Sequence, residues 1–503
     1  MSAAQKHLAK VSLEEERGIG FMDQFMNILE LIDKYIWGIP LCALIIGCGI
    51  WLTLRVRFLQ IRHLGRALKY MVRNEAHGEG EVTSFGALCT ALSATIGTGN
   101  IVGVATAIAA GGPGALLWME IAAFFGMATK YSEGLLAIKY RSIDKDGHVL
   151  GGPFYYIERG MGKGWKWLAK TFAFLGATAG LLGIGTITQV NGITSAAQNF
   201  FDPNLQHVVF SIGQGESAVP ITLTTIVAGL LVTLAVALVV IGGIKRIAGV
   251  SQIIVPFMAV TYILFAVILL LCNLQHVPGA IVTIVTSAFA PQAALGGVIG
   301  ATIKDAIQNG VARGIFSNEA GLGSAPIAAA AAQTKEPVRQ GLVTMTGTFI
   351  DTIIVCTMTG LAIVLTESWL PELGLRGVQI TTRAFQVGLP LPSSVSAFIL
   401  MLCLIFFAFT TILGWDYYGE RCLEYFTGSN KAVVKCYRWL YIAAVFIGPY
   451  LTVAAVWTIA DIFNALMALP NIIALLALSG VVAKETRAYF HRDLQRRLLH
   501  QKR

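Results

Sequence analysis

Two apolar stretches of the sequence are interrupted by glycines and small polar residues in a pattern suited to ion binding. They read TALSATIGTGNIVGVATAIAAGGPG (90–114) and GVARGIFSNEAGLGSAPIAAAAA (310–332). Glycine adopts strained backbone angles at low cost, and unwound backbone inside a membrane must be buried in protein or line a cavity. Free amides at the start of a half-helix attract a carboxylate, whereas free carbonyls at the other broken end attract a cation.

The alternative is that these glycines only let helices pack closely, as small residues do in membranes. The two stretches lie five predicted spans apart, in corresponding positions of a five-plus-five repeat. That placement is typical of a transporter site near the bilayer midplane, so we favour a binding site. The residues at the two interruptions are Gly97, Thr98, Gly99 and Asn100, and Phe316, Ser317, Asn318, Glu319, Gly321 and Gly323.

A third apolar segment, FAFTTILGWDYYGERC (407–422), carries adjacent hydroxyls at Thr410 and Thr411. Sodium is a hard cation, and hard cations prefer oxygen ligands. The two hydroxyls together with unwound carbonyls would form a neutral oxygen cage. The alternative is that each hydroxyl only bonds back to its own helix.

Acidic residues inside apolar segments are costly and by default functional. Glu319 could ligate a second cation, carry a proton or pair with a basic neighbour such as Arg313, and the sequence leaves these alternatives open. We expect Asp351 to be a structural hydrogen-bond anchor and Glu120 to face an aqueous path.

The composition indicates which elements position these residues. The chain has 503 residues, of which 55% are hydrophobic and 13% are charged, about half the charged fraction of a soluble domain. This excludes an ordinary soluble enzyme, a disordered chain and a collagen, and it indicates an all-α polytopic membrane protein. About eleven transmembrane helices are predicted, at 36–54, 85–110, 114–137, 171–199, 218–243, 247–272, 293–333, 341–366, 393–416, 439–460 and 462–483.

Basic connectors predict the orientation of these spans. There are 37 lysines and arginines against 28 acidic residues, and they concentrate in alternate connectors and in the C-terminal tail, with Arg376 and Arg383 as exceptions. This positive-inside pattern puts the N-terminus outside and the C-terminus in the cytoplasm, and it argues against nucleic-acid binding. We predict a surface amphipathic segment over 1–35, a transporter domain over 36–485 and a basic tail over 486–503, with 277–291 as an extra surface or re-entrant piece.

The eight cysteines and eight histidines argue against a membrane enzyme. The cysteines form no CxxC pair, so no disulfide or zinc framework is expected. The histidines lie outside the predicted spans, whereas an intramembrane metalloenzyme would need them inside. A channel would need a symmetric filter or charge rings, which the sequence does not suggest. We therefore expect no covalent chemistry and no cofactor.

The chain resembles the alanine/glycine:cation symporters, also called sodium:alanine symporters. The resemblance covers about 36–485 and is carried by the three segments above, by FFGMATKYSEGLLAIKYR and by GTFIDTIIVCTMTG. It implies a five-plus-five inverted-repeat (LeuT-like) fold with one extra N-terminal helix and two broken helices. It also implies symport of alanine or glycine with sodium by alternating access across the inner membrane, with the lipid bilayer as surroundings and no obligate protein partner.

By the same resemblance, amides around Thr98 and Gly99 would hold the substrate carboxylate, and Trp415 would keep the side-chain pocket small. The implied substrate contacts are Thr98, Gly99, Asn100, Gln189, Phe316, Ser317, Gly321 and Trp415, with Glu319 as a coupling residue. The implied sodium ligands are carbonyls near Ser93 and Ile96, the Phe407 carbonyl, and the Thr410 and Thr411 hydroxyls. Proton coupling and a preference for glutamine are alternatives within the same fold.

Overall fold

Helices dominate the computed structural model, which describes residues 28–501 apart from 30, 34, 74, 76–77, 145–146, 213–218, 291–301 and 452. The amphipathic segment predicted over 1–35 therefore falls largely outside the described residues. In the first half, the helices are α1 (Ile39–Arg55), α2 (Leu59–Arg62), α3 (Leu64–Val72), α4 (Ser84–Thr95), α5 (Val104–Gly111), α6 (Gly114–Tyr140), α7 (Pro153–Tyr155), α8 (Lys166–Leu182), α9 (Ile187–Phe201) and α10 (Leu223–Val240).

The second half continues in the same way. Its helices are α11 (Gly243–Cys272), α12 (Val277–Phe289), α13 (Ile303–Asn318), α14 (Ala325–Ala330), α15 (Pro337–Thr348), α16 (Thr357–Leu365), α17 (Val378–Gly388), α18 (Ser393–Thr427), α19 (Lys431–Ile447) and α20 (Val453–Gln501). Short π-helical segments are Gly99–Gly103, Tyr156–Met161 and Phe349–Cys356, and 3-10 turns are Lys163–Trp165, Pro371–Leu373 and Gly448–Tyr450.

Two small antiparallel hairpins interrupt the helical architecture, and the sequence did not predict them. Strand β1 (Ser142–Ile143) pairs with β2 (Val149–Leu150), and β3 (Val208–Ile212) pairs with β4 (Val219–Thr222). Both hairpins lie in connectors between helices, where backbone groups need partners that a helix would otherwise supply.

The predicted multi-pass membrane architecture is confirmed. Seven of the described helical stretches are long and apolar enough to cross a membrane, or eight if the bent pair α4 and α5 counts as one span. The shorter helices α1 and α12 are also apolar, and eleven spans stay a prediction. On α10, Leu230, Leu234 and Leu238 are each more than half exposed, and their spacing of four residues puts them on one face. Such an apolar face is suited to lipid.

Several predicted boundaries differ from the structure. The window 171–199 contains two helices, α8 and α9, because Gly183 leaves helical geometry (φ −128°, ψ −126°). The span predicted over 439–460 begins in α19 and ends at the 3-10 turn that contains Pro449, because proline has no backbone N–H to continue a helix. The predicted surface piece 277–291 contains helix α12.

Helix α6 is the scaffold around which the interrupted stretches are arranged. It packs against α1, α13, α14 and α15. The second interrupted stretch, which contains α13 and α14, therefore lies against α6 on both sides of its interruption.

Candidate functional site

The first interruption is a break in a helix, as predicted. Helix α4 ends at Thr95, Ile96 is extended (φ −77°, ψ 94°), and the chain turns back into helix at Gly99 with a bend of 50°. The Asn100 Oδ1 accepts the Gly97 N–H at 2.9 Å and thereby supports the unwound turn.

Gln189 holds the same turn from helix α9. Its Oε1 accepts the Thr98 N–H at 3.2 Å, and its Nε2 donates to the Ile184 carbonyl at 2.9 Å. The family resemblance implies that Gln189 contacts the substrate. In this structure, Gln189 occupies the backbone amide that would face a substrate carboxylate.

The second interruption is also a break. Helix α13 ends at Asn318, and Glu319 adopts a left-handed conformation (φ +56°). Gly321 and Gly323 have φ values of +91° and +81°, a region that side chains rarely adopt. Helix α14 then begins at Ala325. The Asn318 Oδ1 accepts the Ala320 N–H at 2.9 Å within the break.

The two breaks touch each other. A Cβ added at Gly99 would lie 3.2 Å from the Ser317 Cα and 3.3 Å from the Phe316 ring, so glycine permits this close approach. The buried Asp351 ties the breaks together, since it accepts hydrogen bonds from Asn100 Nδ2 at 2.8 Å and from Ser317 Oγ at 2.9 Å. These contacts match the anchoring role expected for Asp351.

A cavity of about 630 Å³ reaches the first break. Thr98 lies at its wall, and the Thr98 hydroxyl is buried without a hydrogen-bond partner among the described residues. An unpaired buried hydroxyl costs about 1–3 kcal/mol, so a ligand that supplies a partner is favoured there. The other lining residues are Val102, Thr106, Asn191, Gly192, Ser195, Gln198, Asn199, Arg313, Arg376, Gly377, Val378 and Gln379.

Oxygen atoms converge beside the first break, at the predicted sodium cage. The Thr411 Oγ1 lies 3.3 Å from the Ile96 carbonyl oxygen and 3.0 Å from the Phe407 carbonyl oxygen. The Thr410 Oγ1 lies 3.0 Å from the same Phe407 oxygen, 3.1 Å from the Phe406 carbonyl oxygen one turn back in its own helix, and 3.5 Å from the Met258 sulfur. The structure therefore brings Ile96, Phe407 and Thr411 together, with the Thr410 hydroxyl at the edge of the group.

The Ser93 hydroxyl does not join this group through any observed hydrogen bond. It donates to the Thr90 carbonyl at 2.8 Å, one turn back in helix α4. This is the local back-bonding that hydroxyls in apolar helices commonly form. The sodium ligand predicted at Ser93 is a nearby backbone carbonyl and not this hydroxyl, and Ser93 precedes Ile96 by three residues.

Trp415 contacts the second break, and Gly321 is part of it. The Trp415 Nε1 donates to the Glu319 Oε1 at 2.8 Å, and Trp415 is fully buried. Neither residue lines the cavity, and among the eight predicted substrate contacts only Thr98 does. A Cβ added at Gly321 would lie 3.6–4.0 Å from the side chains of Ile45, Thr129 and Ile472.

Glu319 also has partners that the sequence did not single out. Its Oε2 accepts the Ser324 hydroxyl at 2.5 Å, and Lys130 of helix α6 is a nearby positive charge. Arg313, the basic neighbour considered for Glu319, forms its ion pair with Asp461 at 2.9 Å.

Arg376 and Gln379 contribute to the cavity wall but were not predicted as site residues. Arg376 was an exception to the charge pattern of the connectors. Arg376 lies in a connector of the set that otherwise carries few basic residues. That departure from the pattern could have marked it as a candidate site residue. Asn191, two residues after Gln189 on helix α9, also lines the cavity.

Arg141, which directly follows helix α6, binds the C-terminal end of the second interrupted stretch. Its guanidinium donates to the carbonyls of Ala330, Ala332 and Thr334 at 2.5–2.7 Å. Carbonyls at a helix C-terminus have no partner within the helix. Arg141 therefore fixes helix α14 to the C-terminal end of helix α6.

A charged cluster joins three segments on this same side. His148, in the β1–β2 hairpin, lies 3.0 Å from Glu81 and 2.9 Å from Glu424, and Arg421 lies 2.7 Å from Glu424. Hydrogen bonds to Glu424 and Glu81 raise the pKa of His148 to about 9. The cluster links the hairpin to the segment before helix α4 and to the end of helix α18.

The raised pKa of His148 predicts that the folded protein loses stability at alkaline pH. The pKa of His148 in the folded protein lies above the usual value near 6.5. Protonated His148 therefore contributes fully to the free energy of unfolding below about pH 6.5, and this contribution disappears as the pH rises through 9. We expect the melting temperature of the detergent-solubilised protein to fall more between these pH values than that of His148→Gln. Identical pH dependence in the two proteins would contradict the role of the cluster.

Comparison with known proteins places the chain in one family. The family model described as the sodium:alanine symporter family matches residues 22–502. An uncharacterized transporter of Haemophilus influenzae is 56% identical over 467 residues, which is 93% of this chain and 96% of that protein. The sodium/alanine symporter AgcS of Methanococcus maripaludis is 45% identical over 474 residues, 92% of this chain and 97% of its own length.

A more distant relative is similar over an equally large part of the chain. The amino-acid carrier protein AlsT of Bacillus subtilis is 36% identical over 471 residues, 93% of each protein. Family members and relatives are membrane transporters, and the long apolar helices agree with a multi-pass membrane protein. The chain belongs to the sodium:alanine symporter family and is a symporter rather than an enzyme.

Proposed function

We propose that the protein moves a small neutral amino acid, alanine or glycine, into the cell together with sodium by alternating access. The observation that carries this proposal is the contact between the two breaks at the end of the cavity. There, the Thr98 hydroxyl, which has no hydrogen-bond partner in the described part of the chain, lies beside unwound backbone. Backbone amides and hydroxyls at a helix break in a low-dielectric site favour the carboxylate of an amino acid.

The substrate carboxylate is assigned to the turn at Thr98 and Gly99. Gln189 now bonds the Thr98 amide, so its carboxamide must turn aside or share that amide when the carboxylate arrives. Asn100, Phe316 and Ser317 lie around the same turn. They would position the rest of a small amino acid.

Sodium is assigned to the oxygen group formed by Ile96, Phe407 and Thr411, with Thr410 at its edge. Uncharged carbonyl and hydroxyl oxygens suit a hard monovalent cation. Ile96 comes two residues before Thr98, so ligation of sodium and binding of the carboxylate would order the same unwound turn. A shared turn provides a physical basis for coupling, because each ligand reduces the ordering cost of the other.

The fold proposed for this cycle is the five-plus-five inverted repeat with about eleven spans. The N-terminus would lie outside and the C-terminus in the cytoplasm of an inner-membrane protein. In that orientation, the cavity opens to the outside, whereas Arg141 and the His148 cluster close the cytoplasmic side. One sodium crossing about 100 mV supplies about 2.3 kcal/mol, and a tenfold gradient adds about 1.4 kcal/mol. Together they support accumulation of several hundred-fold.

Trp415 is proposed to limit the substrate size from behind Glu319. Trp415→Ala is expected to improve the competition of longer neutral amino acids, including glutamine, relative to alanine by about tenfold, the scale on which a pocket discriminates a methylene. Trp415→Phe keeps a flat aromatic ring, smaller than the indole, and removes the N–H that bonds Glu319. If ring size sets the limit, competition assays should show a smaller change in substrate ranking for Trp415→Phe than for Trp415→Ala. An unchanged ranking in the well-expressed alanine variant would contradict the size limit.

Proteoliposome uptake with separately imposed gradients tests the proposed function. Labelled alanine should accumulate with an inward sodium gradient at equal pH, and unlabelled glycine should compete. A proton gradient without sodium should give no accumulation. Equal accumulation without sodium would replace the proposal by proton symport, and absence of uptake under both gradients would reject alanine as a substrate.

A further inference from the structure

A cluster of buried charges lies behind the second break, away from the cavity. Its members are Lys130, Glu133, Glu319 and Asp351, each at most 2% exposed. Lys130 interacts electrostatically with all three carboxyl groups. One ammonium group therefore faces three acids in the membrane interior, where uncompensated charge is expensive.

In two of the three acids, both carboxylate oxygens accept a hydrogen bond. Glu319 accepts Trp415 Nε1 with one oxygen and Ser324 Oγ with the other. Asp351 likewise accepts Asn100 Nδ2 with one oxygen and Ser317 Oγ with the other. Donors on both oxygens stabilise the ionised form of a carboxylate.

Glu133 differs from both. Its Oε1 accepts Asn471 Nδ2 at 2.7 Å and the Gly323 N–H at 3.2 Å. Its Oε2 is buried and has no hydrogen-bond partner among the described residues. One carboxylate oxygen of Glu133 is thus held by two donors, and the Gly321 backbone also interacts with this carboxylate. The other oxygen has no donor at hydrogen-bond distance and angle among the described residues.

Several titratable groups face Glu133 from different elements. The Tyr418 hydroxyl on helix α18 is also buried without a partner in the described part of the chain, and it interacts with both Glu319 and Glu133. The groups around Glu133 are Lys130 on its own helix, Cys48 on helix α1, Tyr156 on the π-helical turn, Tyr418 on helix α18, and Glu319 across Lys130.

We propose that Glu133 Oε2 binds a proton that travels with the amino acid, so that the protein couples to a proton as well as to sodium. This inference rests on the proposed symport function. The carboxylate takes up one proton from the outside and releases it to the cytoplasm, and no other bond changes. A proton is proposed rather than a second sodium because, among the described residues, the unpartnered oxygens here are Glu133 Oε2 and Tyr418 Oη. These are fewer than the oxygens of the group assigned to sodium beside the first break.

The contacts of Glu133 explain how transport would release the proton. Its anchoring amide belongs to Gly323, in the second break, and Asn471 belongs to helix α20. If the second interrupted stretch moves relative to helix α6 during alternating access, the donors on Oε1 and the distance to Lys130 change together. Both changes alter the balance between the neutral and ionised forms of Glu133.

The test uses proteoliposomes with a pH dye inside, sodium equal on both sides and the voltage clamped. Alanine added outside should acidify the lumen in the wild type. Glu133→Gln mimics the permanently protonated acid, so acidification should fall to the level of protein-free vesicles. Sodium-dependent alanine exchange should continue at a reduced rate. The exposed Glu372 provides a matched control, since Glu372→Gln should acidify the lumen like the wild type.

Three results would overturn the proposal. The first is sodium-driven alanine uptake by the wild type without acidification, which leaves the proposed symport intact. The second is unchanged acidification in Glu133→Gln. The third result concerns Glu133→Asp. This variant keeps a carboxyl group but shifts its position by one methylene, and it serves as the test if Glu133→Gln fails to fold. Its uptake should show a displaced pH midpoint, and an unchanged pH profile would contradict proton binding at this position.

Discussion

Gly97→Ala is expected to reduce sodium-dependent alanine uptake to background, a loss of about a hundredfold or more. The added methyl group would lie 2.5 Å from the Thr411 Oγ1 and 3.2 Å from the Gln189 Oε1. It would therefore displace the proposed sodium ligand and the side chain that holds the Thr98 amide. A single methyl group would affect both proposed ligand positions.

Gly103→Ala is the matched control for this variant. Gly103 ends the π-helical turn that begins at Gly99, and a Cβ added there meets nothing within 4 Å. Its uptake should stay near the wild-type value, with equal amounts of protein in the vesicles. Equal uptake by the two alanine variants would mean that the first break tolerates a displaced Thr411, and would contradict the placement of the site.

Thr411→Val is expected to raise the sodium concentration for half-maximal uptake at least about tenfold, equivalent to about 1.4 kcal/mol. Valine keeps the β-branched shape and deletes only the hydroxyl that lies between the Ile96 and Phe407 carbonyls. A cation that loses an oxygen ligand in a buried site finds no water to replace it. Sodium titrations of alanine uptake measure the shift.

Three companion variants separate ligation from packing. Thr411→Ser keeps the oxygen and should stay near the wild type. Thr410→Val should shift the sodium dependence less, because the Thr410 hydroxyl shares only the Phe407 carbonyl with the group. Thr233→Val removes a hydroxyl that bonds back to Gly229 on helix α10 and should have no effect. Unshifted sodium dependence for valine at both 410 and 411 would exclude the cage.

The helix breaks could be predicted because their cause is local. Gly321 and Gly323 adopt positive φ values, and glycine is the residue that does so at low cost. The multi-pass membrane architecture could also be predicted from local sequence. Each span is recognised by its own apolar composition, and each connector by its own basic residues. The family followed from the motifs around the same breaks.

Partners that depend on packing between distant segments could not be predicted. Trp415 binds Glu319 across 96 positions of the sequence, and Gln189 reaches the Thr98 amide across 91 positions. The side chains that surround Gly321 depend on how the second break packs against helices α1, α6 and α20. Periodicity reports which face of a helix is apolar, but it does not report which neighbour covers that face.

Equilibrium binding of alanine to the purified protein in sodium or potassium, at equal ionic strength, tests the central claim most directly. The claim is that substrate and sodium order the same turn, from Ile96 to Gly99. Calorimetric titration should give an alanine Kd at least about tenfold lower in sodium for the wild type, a coupling of about 1.4 kcal/mol. Thr411→Val should lose most of that difference. An alanine Kd that is the same in sodium and potassium would contradict the shared site.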